Sequence, residues 1–143
     1  MTAEPVPIAF VDTNVLVYAF DRQAGSRHDL ARLLLADLWA SGAGALSTQV
    51  LQEFYATTTR KLAQPLSRGA AREVVEAYRR WPVLTIGPSD IVAASELEER
   101  HSLSFWDALI VVAAQRSGAV RLLSEDMQAG RRFAGLVVEN PFG

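Results

Sequence analysis

The stretch IAFVDTNVLVYAF, residues 8–20, runs from an apolar segment into Asp12-Thr13-Asn14 and straight on into a second apolar segment. Pro7 to Val11 reads as a short buried strand, and the polar triplet as its end, with a helix starting at about Val15. A strand-to-helix corner of this kind leaves one carboxylate, Asp12, at the carboxyl end of a strand.

The same alternation continues along the chain. From Ser26 to Ala40 the residues Leu30, Leu33, Leu34, Leu38 and Trp39 recur at helical spacing, and Ser41 to Gly44 stops them. Ala45-Leu46 is a brief strand, after which Ser47 or Thr48 caps a helix running to about Leu62. A helix over Ser67 to Arg80 ends before Trp81-Pro82, because a residue preceding proline is pushed out of the α region. Val83 to Ile86 is the next strand. Gly87-Pro88-Ser89 opens a helix with Ile91, Val92, Ala94, Ser95 and Leu97 expected on its inner side and the charged residues of Glu96 to Arg100 toward solvent. Ser104 caps Phe105 to Ser117, which is apolar nearly all round from Ala108 to Ala114 and is therefore expected to be central. Gly118 ends it, Val120 to Leu123 forms a strand entering Ser124-Glu125-Asp126, and Leu136 to Val138 forms the last strand.

Strands alternating with helices predict an α/β fold, a three-layer α/β/α sandwich around a mostly parallel central sheet. No repeat or linker divides the chain, so residues 1–143 are expected to form one domain. Ligands of such sheets bind outside the carboxyl ends of the strands, where the strand order reverses. Asp12 and Asp126 each follow a predicted strand into that region.

Composition narrows the chemistry. With 50% hydrophobic and 21% charged residues the chain can bury an ordinary core. It has no cysteine, which excludes disulfides, thiolate catalysis and Cys-based zinc sites. The opening MTAEPVPIAFVD has no basic segment leading into a long apolar one, and no apolar run approaches the length of a membrane span, so a soluble cytoplasmic protein is expected. A net charge of −2 looks unsuited to a polyanionic partner. If four acids are neutralised by bound cations, however, the rest of the chain is net basic. Of its 14 basic residues all but Lys61 are arginines, suited to bidentate phosphate contacts.

The four acids in question are Asp12, Glu53, Asp107 and Asp126. Brought together they would repel one another, and a divalent cation would relieve that repulsion. Carboxylate oxygens without His or Cys select Mg²⁺ or Mn²⁺ over zinc, and such ions can activate water and hold a phosphate. Each acid also has an ordinary structural reading. Asp12 can be an Asx turn or helix cap, Asp107 can close a Ser-x-x-Asp capping box with Ser104, and Asp126 can be a turn residue. Glu53 lies off the apolar face of its helix and can be a solvated glutamate. His28, on the polar side of a helix, and His101, in a helix-to-helix loop, read as surface residues rather than general bases.

Taken together, four stretches resemble the PIN domain family of metal-dependent nucleases: IAFVDTNVLVYAF with Asp12, LSTQVLQEFYA with Glu53, LSFWDALIVVAAQRSGA with Asp107, and LLSEDMQAG with Asp126. The resemblance spans Ile8 to Phe142 and is closest to VapC-type toxins of type II toxin–antitoxin systems, including the ending LVVENPF. It implies a sequence-selective endoribonuclease that hydrolyses RNA phosphodiester bonds by metal-activated water, with the four acids as catalytic residues and as ligands of Mg²⁺ or Mn²⁺. Asn14 and Ser124 match polar positions that flank the acids in the family and are carried over as water-positioning groups; local turn bonding is their alternative. A cognate small antitoxin and a homodimer are implied as well. Leu35, Trp39 and Trp81 are candidate exposed anchors for such a dimer, or else core residues. Arg22 and the pair Arg131-Arg132 are candidates for substrate-backbone contacts, or else solvated surface groups.

Two other classes bear on the same residues. Dehalogenase-like phosphotransferases want Asp-x-Asp after the first strand, where this chain has Asp12-Thr13-Asn14, and a response-regulator receiver wants a lysine beside its acids. A non-catalytic PIN-like module for RNA or protein contact would be signalled by loss of an acid, and all four are present.

Overall fold

Strand β1 (Ala9–Val11) is buried along its whole length. The chain leaves it at Asp12, whose side chain accepts from the Thr13 backbone N–H and so starts α1 (Thr13–Tyr18) two residues earlier than the apolar spacing predicts. The computed structural model describes residues 6–143. After a 3₁₀ turn (Arg22–Ala24) come α2 (Ser26–Ser41), β2 (Gly44–Ser47), α3 (Thr48–Arg60), α4 (Arg68–Tyr78), β3 (Val83–Leu84), α5 (Pro88–His101) and α6 (Phe105–Arg116), followed by β4 (Arg121–Leu123), β5 (Arg132–Phe133) and β6 (Leu136–Glu139). Ser47, Ser67 and Ser104 cap α3, α4 and α6 through their hydroxyls.

The sheet order is β3-β2-β1-β4-β6-β5, every pair being parallel except β5 with β6. Phe10 of β1 sits beside Ala45 of β2 on one side and Leu122 of β4 on the other. The chain moves outward from β1 through β2 to β3 and then returns to place β4 against the free side of β1, so the order reverses between β1 and β4. With helices on both faces this is the expected three-layer, mostly parallel α/β sandwich of PIN-like type. The 3₁₀ turn and β5 were not anticipated; elements of two or three residues are too short to carry a period.

The core joins the sheet residues Phe10, Leu46, Leu122 and Val138 to Leu16 of α1, Val50 and Phe54 of α3 and Val111 of α6. Helix α6 is buried at every position from Ala108 to Ala114, as its all-round apolarity requires. At Gly44 the ring of Trp81 approaches so closely that a Cβ would lie 2.3 Å from it, which explains a glycine inside a buried strand.

Helix α5 turns a different face inward from the one its apolar residues suggest. Ile91 and Val92 are 47% and 60% exposed and Ser95 is exposed too, whereas Asp90 and Ala94 are buried and Leu97 is half-buried. Asp90 accepts from the Gly87 backbone N–H at 2.8 Å and pairs with Arg116 of α6, and this polar anchor fixes the rotation of the helix. His101 is the last residue of α5 rather than part of a loop. Of the three candidate anchors, Leu35 and Trp81 are core residues, Leu35 on α2, which packs on β2, and Trp81 with its ring against Gly44; Trp39 remains partly exposed while packing against Tyr78 and Trp81. Among the described residues no helix is long and apolar enough to cross a membrane.

Candidate functional site

The reversal between β1 and β4 gathers the polar ends of both strands. Ser124, fully buried just after β4, donates its hydroxyl to Asp12 Oδ2 at 2.7 Å and accepts the backbone N–H of Asp126 at 3.2 Å. Asn14, in the first turn of α1, directs Nδ2 at Asp126 Oδ2 (3.1 Å), Asp12 Oδ2 and Ser124 Oγ (both 3.4 Å), while its Oδ1 accepts the Glu125 N–H at 3.1 Å. Four side chains from two distant segments are thereby locked into one network. Asn14 and Ser124 join the two segments instead of satisfying only their own turns.

Glu53 enters from the second turn of α3. Its Oε2 accepts from the Thr13 hydroxyl at 3.1 Å and its Oε1 from Gln49 Nε2 at 2.7 Å. Gln49, buried one turn earlier, also donates to the carbonyl of Trp106, the residue before Asp107. Thr13 and Gln49 therefore tie Glu53 to the β1 corner and α3 to the start of α6, and sequence reasoning named neither. A Gln four residues before a Glu on a helix was the available signal for Gln49.

Asp107 lies in the first turn of α6, where its backbone N–H donates to Ser104 Oγ at 3.1 Å. The capping geometry foreseen for Ser104 is present, and Asp107 is also coupled to the cluster through the charge of Asp126. Burial raises the pKa of Asp107, its hydrogen bond to Ser104 partly offsets this, and the Asp126 carboxylate raises it further. Asp12 is the most perturbed. Burial pushes its pKa up to about 6 against the lowering effect of its bonds to Ser124 and Thr13, and the negative charges of Asp126 and Glu53 add to the rise.

No arginine, lysine or histidine stands within ion-pair distance of these four acids among the described residues. The cluster has negative charge and hydrogen-bond donors but no cation of its own. Its donor set is all oxygen, and a carboxylate whose ionisation is suppressed by burial and further by the neighbouring Asp126 and Glu53 is the environment that a hard divalent cation would relieve. The residues thus fit such an ion in chemistry, although among the described residues no three acidic or histidine groups already close into a finished cage.

The remaining candidates stand further off. Neither histidine takes part in the acid network: His28 is half-buried with Nδ1 2.9 Å from the Tyr18 carbonyl, and His101 packs edge-on to Phe133. Arg131 donates to the His101 carbonyl and lies over the Phe133 ring, whereas Arg22 and Arg132 are exposed. The loop carrying Asp126 is braced by Glu125, which accepts from the Tyr18 hydroxyl at 2.6 Å and pairs with Arg27.

Comparisons with known proteins bear on the fold and on the family. Among solved structures, the chain is similar to Mycobacterium tuberculosis VapC20, described as a sarcin-ricin loop cleaving toxin, with 23% identity, a TM-score of 0.64, and coverage of 82% of this chain and 91% of that one. A toxin–antitoxin complex from Klebsiella pneumoniae aligns with 20% identity and a TM-score of 0.68 over 93% of this chain and 97% of that one. VapBC2 from Rickettsia felis, bound to a DNA fragment from its promoter, aligns with 20% identity and a TM-score of 0.63 over 93% and 98%. These likenesses concern the fold. No curated protein sequence matches the chain significantly. The model of the PIN domain matches residues 9–133, a span that contains the β1 corner, the acid-bearing turns of α3 and α6, and the loop after β4. By that match this chain belongs to the PIN domain family.

Proposed function

We propose that the protein is an endoribonuclease that uses Asp12, Glu53, Asp107 and Asp126 to hold Mg²⁺ or Mn²⁺, and that it is the toxin of a toxin–antitoxin pair. The observation that carries the reading is the set of acids with no cation among them, at the reversal of strand order, with Asp12 pushed up to about 6. A divalent ion bound there would supply charge neutralisation and an acidified water for phosphodiester hydrolysis.

The protein's own groups divide the remaining work. Asp12 and Asp126 are bridged by Asn14 and Ser124, which hold the two carboxylates at the ends of adjacent strands. Thr13 and Gln49 orient the Glu53 carboxylate toward the same end of the sheet, and Asp107 meets the cluster from the start of α6. Ser124 and Asn14 are positioning residues in this scheme. Exposed arginines such as Arg22 and Arg132 are suited to the substrate backbone.

The toxin reading and the antitoxin partner are supported by the family and by the similar solved proteins, which include a sarcin-ricin loop cleaving toxin and toxin–antitoxin complexes. An acidic cluster open at Asp126 is complementary to an inserted basic side chain of a small inhibitory protein. A homodimer and a single PIN unit over residues 1–143 complete the proposal. Incubating the purified protein with total RNA and Mn²⁺, then sequencing the new ends, tests it. Cuts should appear at a restricted set of sites, vanish with EDTA and be missing with Asp12→Asn; unchanged cutting by that variant would refute the assignment.

A further inference from the structure

Next to the acids lies a second feature that the cleavage reading does not use. The first turns of α3, α5 and α6 enclose a cleft of about 360 Å³ whose walls include Thr48, Gln49, Gln52, Ile86, Ile91 and Trp106. Its size falls within the range of small-ligand pockets. Trp106 is 64% exposed, unusual for the largest apolar side chain, and Phe105 braces its ring at 5.2 Å with the planes 78° apart. Gln49, in the cleft wall, is only 5% exposed. Both bonds of its Nε2 go to acceptors, Glu53 Oε1 and the Trp106 carbonyl, so the amide cannot be reversed without setting oxygen against oxygen. That leaves Gln49 Oε1 buried without a partner. An orphaned acceptor of this sort is costly unless something supplies a donor.

The geometry points to a nucleobase subsite here: an unpaired base beside the scissile phosphate stacks on Trp106, and its exocyclic amino or ring N–H faces the Gln49 wall. This deepens the nuclease reading and rests on it. Three observations favour a base over a protein side chain. The cleft is linked to the acids through its wall, where Gln49 bonds both Glu53 and the Trp106 carbonyl. The lining joins the aromatic and apolar Ile86, Ile91, Phe105 and Trp106 to the polar Thr48, Gln49 and Gln52 of α3, the mixture that a flat ring edged with donors and acceptors requires. A stacking platform that is already braced loses little freedom when a base lands on it.

The test uses short mixed-sequence RNA and the cleavage-deficient Asp12→Asn protein with Mn²⁺, read by tryptophan fluorescence and by filter binding. Single-stranded RNA should quench the emission, and the quench should disappear in Trp106→Ala although Trp39 and Trp81 remain. Affinity should fall about ten- to hundredfold in Trp106→Ala and stay within a few-fold of the parent in Trp106→Phe. An oligonucleotide of the same length that is abasic throughout should bind the parent as weakly as RNA binds Trp106→Ala. Equal RNA affinity for Trp106→Ala and the parent would overturn the inference. So would a Trp106→Ala protein that turns from dimer to monomer with RNA binding intact, which would make this face an interface between copies. Cleavage that depends on Asp12 with no dependence on Trp106 removes the subsite alone, whereas absence of any RNA cleavage by the parent protein removes the nuclease reading beneath it.

Discussion

The Ser124 hydroxyl reaches Asp12 Oδ2 at 2.7 Å across 112 residues of sequence, joining the ends of the two strands between which the sheet reverses. The contact is buried and its hydroxyl serves three neighbours, since the Asp126 N–H and Asn14 Nδ2 also point at it. It ties two of the four acids together and partly offsets the burial that makes the first of them resist ionisation.

Replacing Ser124 by Ala should therefore separate geometry from stability. The Asp126 N–H loses a buried acceptor and Asp12 loses the bond that most lowers its pKa. A cost of about 1–3 kcal/mol in thermal or urea unfolding is expected. Cleavage should drop by more than the folded fraction does, and Mn²⁺ should bind more weakly, because the Asp12 carboxylate becomes harder to ionise. Cleavage that tracks the folded fraction alone would mean that the hydroxyl is only structural glue.

Asp12→Asn should show the reverse pattern on stability. With its native pKa near 6 and an unfolded value near 4, Asp12 keeps its proton in the native state over a range where the unfolded chain has released it. Its contribution to stability is fully present below pH 4, is lost as pH rises to about 6, and stays lost above that. Without metal, the Asn variant should be close to the parent at pH 4 and more stable than it at pH 7.5, by at most about 3 kcal/mol. Melts in EDTA across this range check the sign. A variant much less stable than the parent at pH 7.5 would make Asp12 a structural cap and nothing more.

Most of the architecture was legible because it rests on long-range periodicity. The corner at Asp12, the start of α4 near Ser67, the cap at Ser104, one of the two caps open at Ser47 and Thr48, and the buried run Ala108 to Ala114 all stand where spacing and capping chemistry put them. The rotation of α5 was not legible, since it is fixed by the Asp90 bond to Gly87 and the pair with Arg116, a tertiary contact that outweighs exposing Ile91 and Val92. The acids could be listed from their motifs, and Gln49 was open to sequence only through its spacing to Glu53. The bond of Thr13 to Glu53 and that of Gln49 to the Trp106 carbonyl depend on what lies opposite them in space, which does not follow from residue type.

Gln49 gives a prediction from that contact. Gln49→Glu sets a carboxylate against Glu53 Oε1 and the Trp106 carbonyl, replacing two bonds with acceptor–acceptor repulsion. Its melting temperature in EDTA should fall well below that of Gln49→Leu at pH 7.5, and the gap should narrow at pH 5, where the new acid can take up a proton. Equal melting of the two variants at both pH values would show that the amide does not hold α3 to the start of α6.

Gly44 tests the fold independently of the site. A methyl group added there lies 2.3 Å from the Trp81 ring, which is itself wedged against Trp39 and Tyr78 at centroid distances of 5.4 and 4.8 Å. The buried ring is held between these two neighbours, so Gly44→Ala should cost roughly 1–3 kcal/mol, as overpacking in a dense core does. Because Trp39 is the partly exposed member of the aromatic trio, Trp39→Ala in the same chain opens room beside Trp81 and should recover part of the loss. A double variant with no recovery relative to the sum of the two single changes would show that the strand, rather than the ring, absorbs the strain.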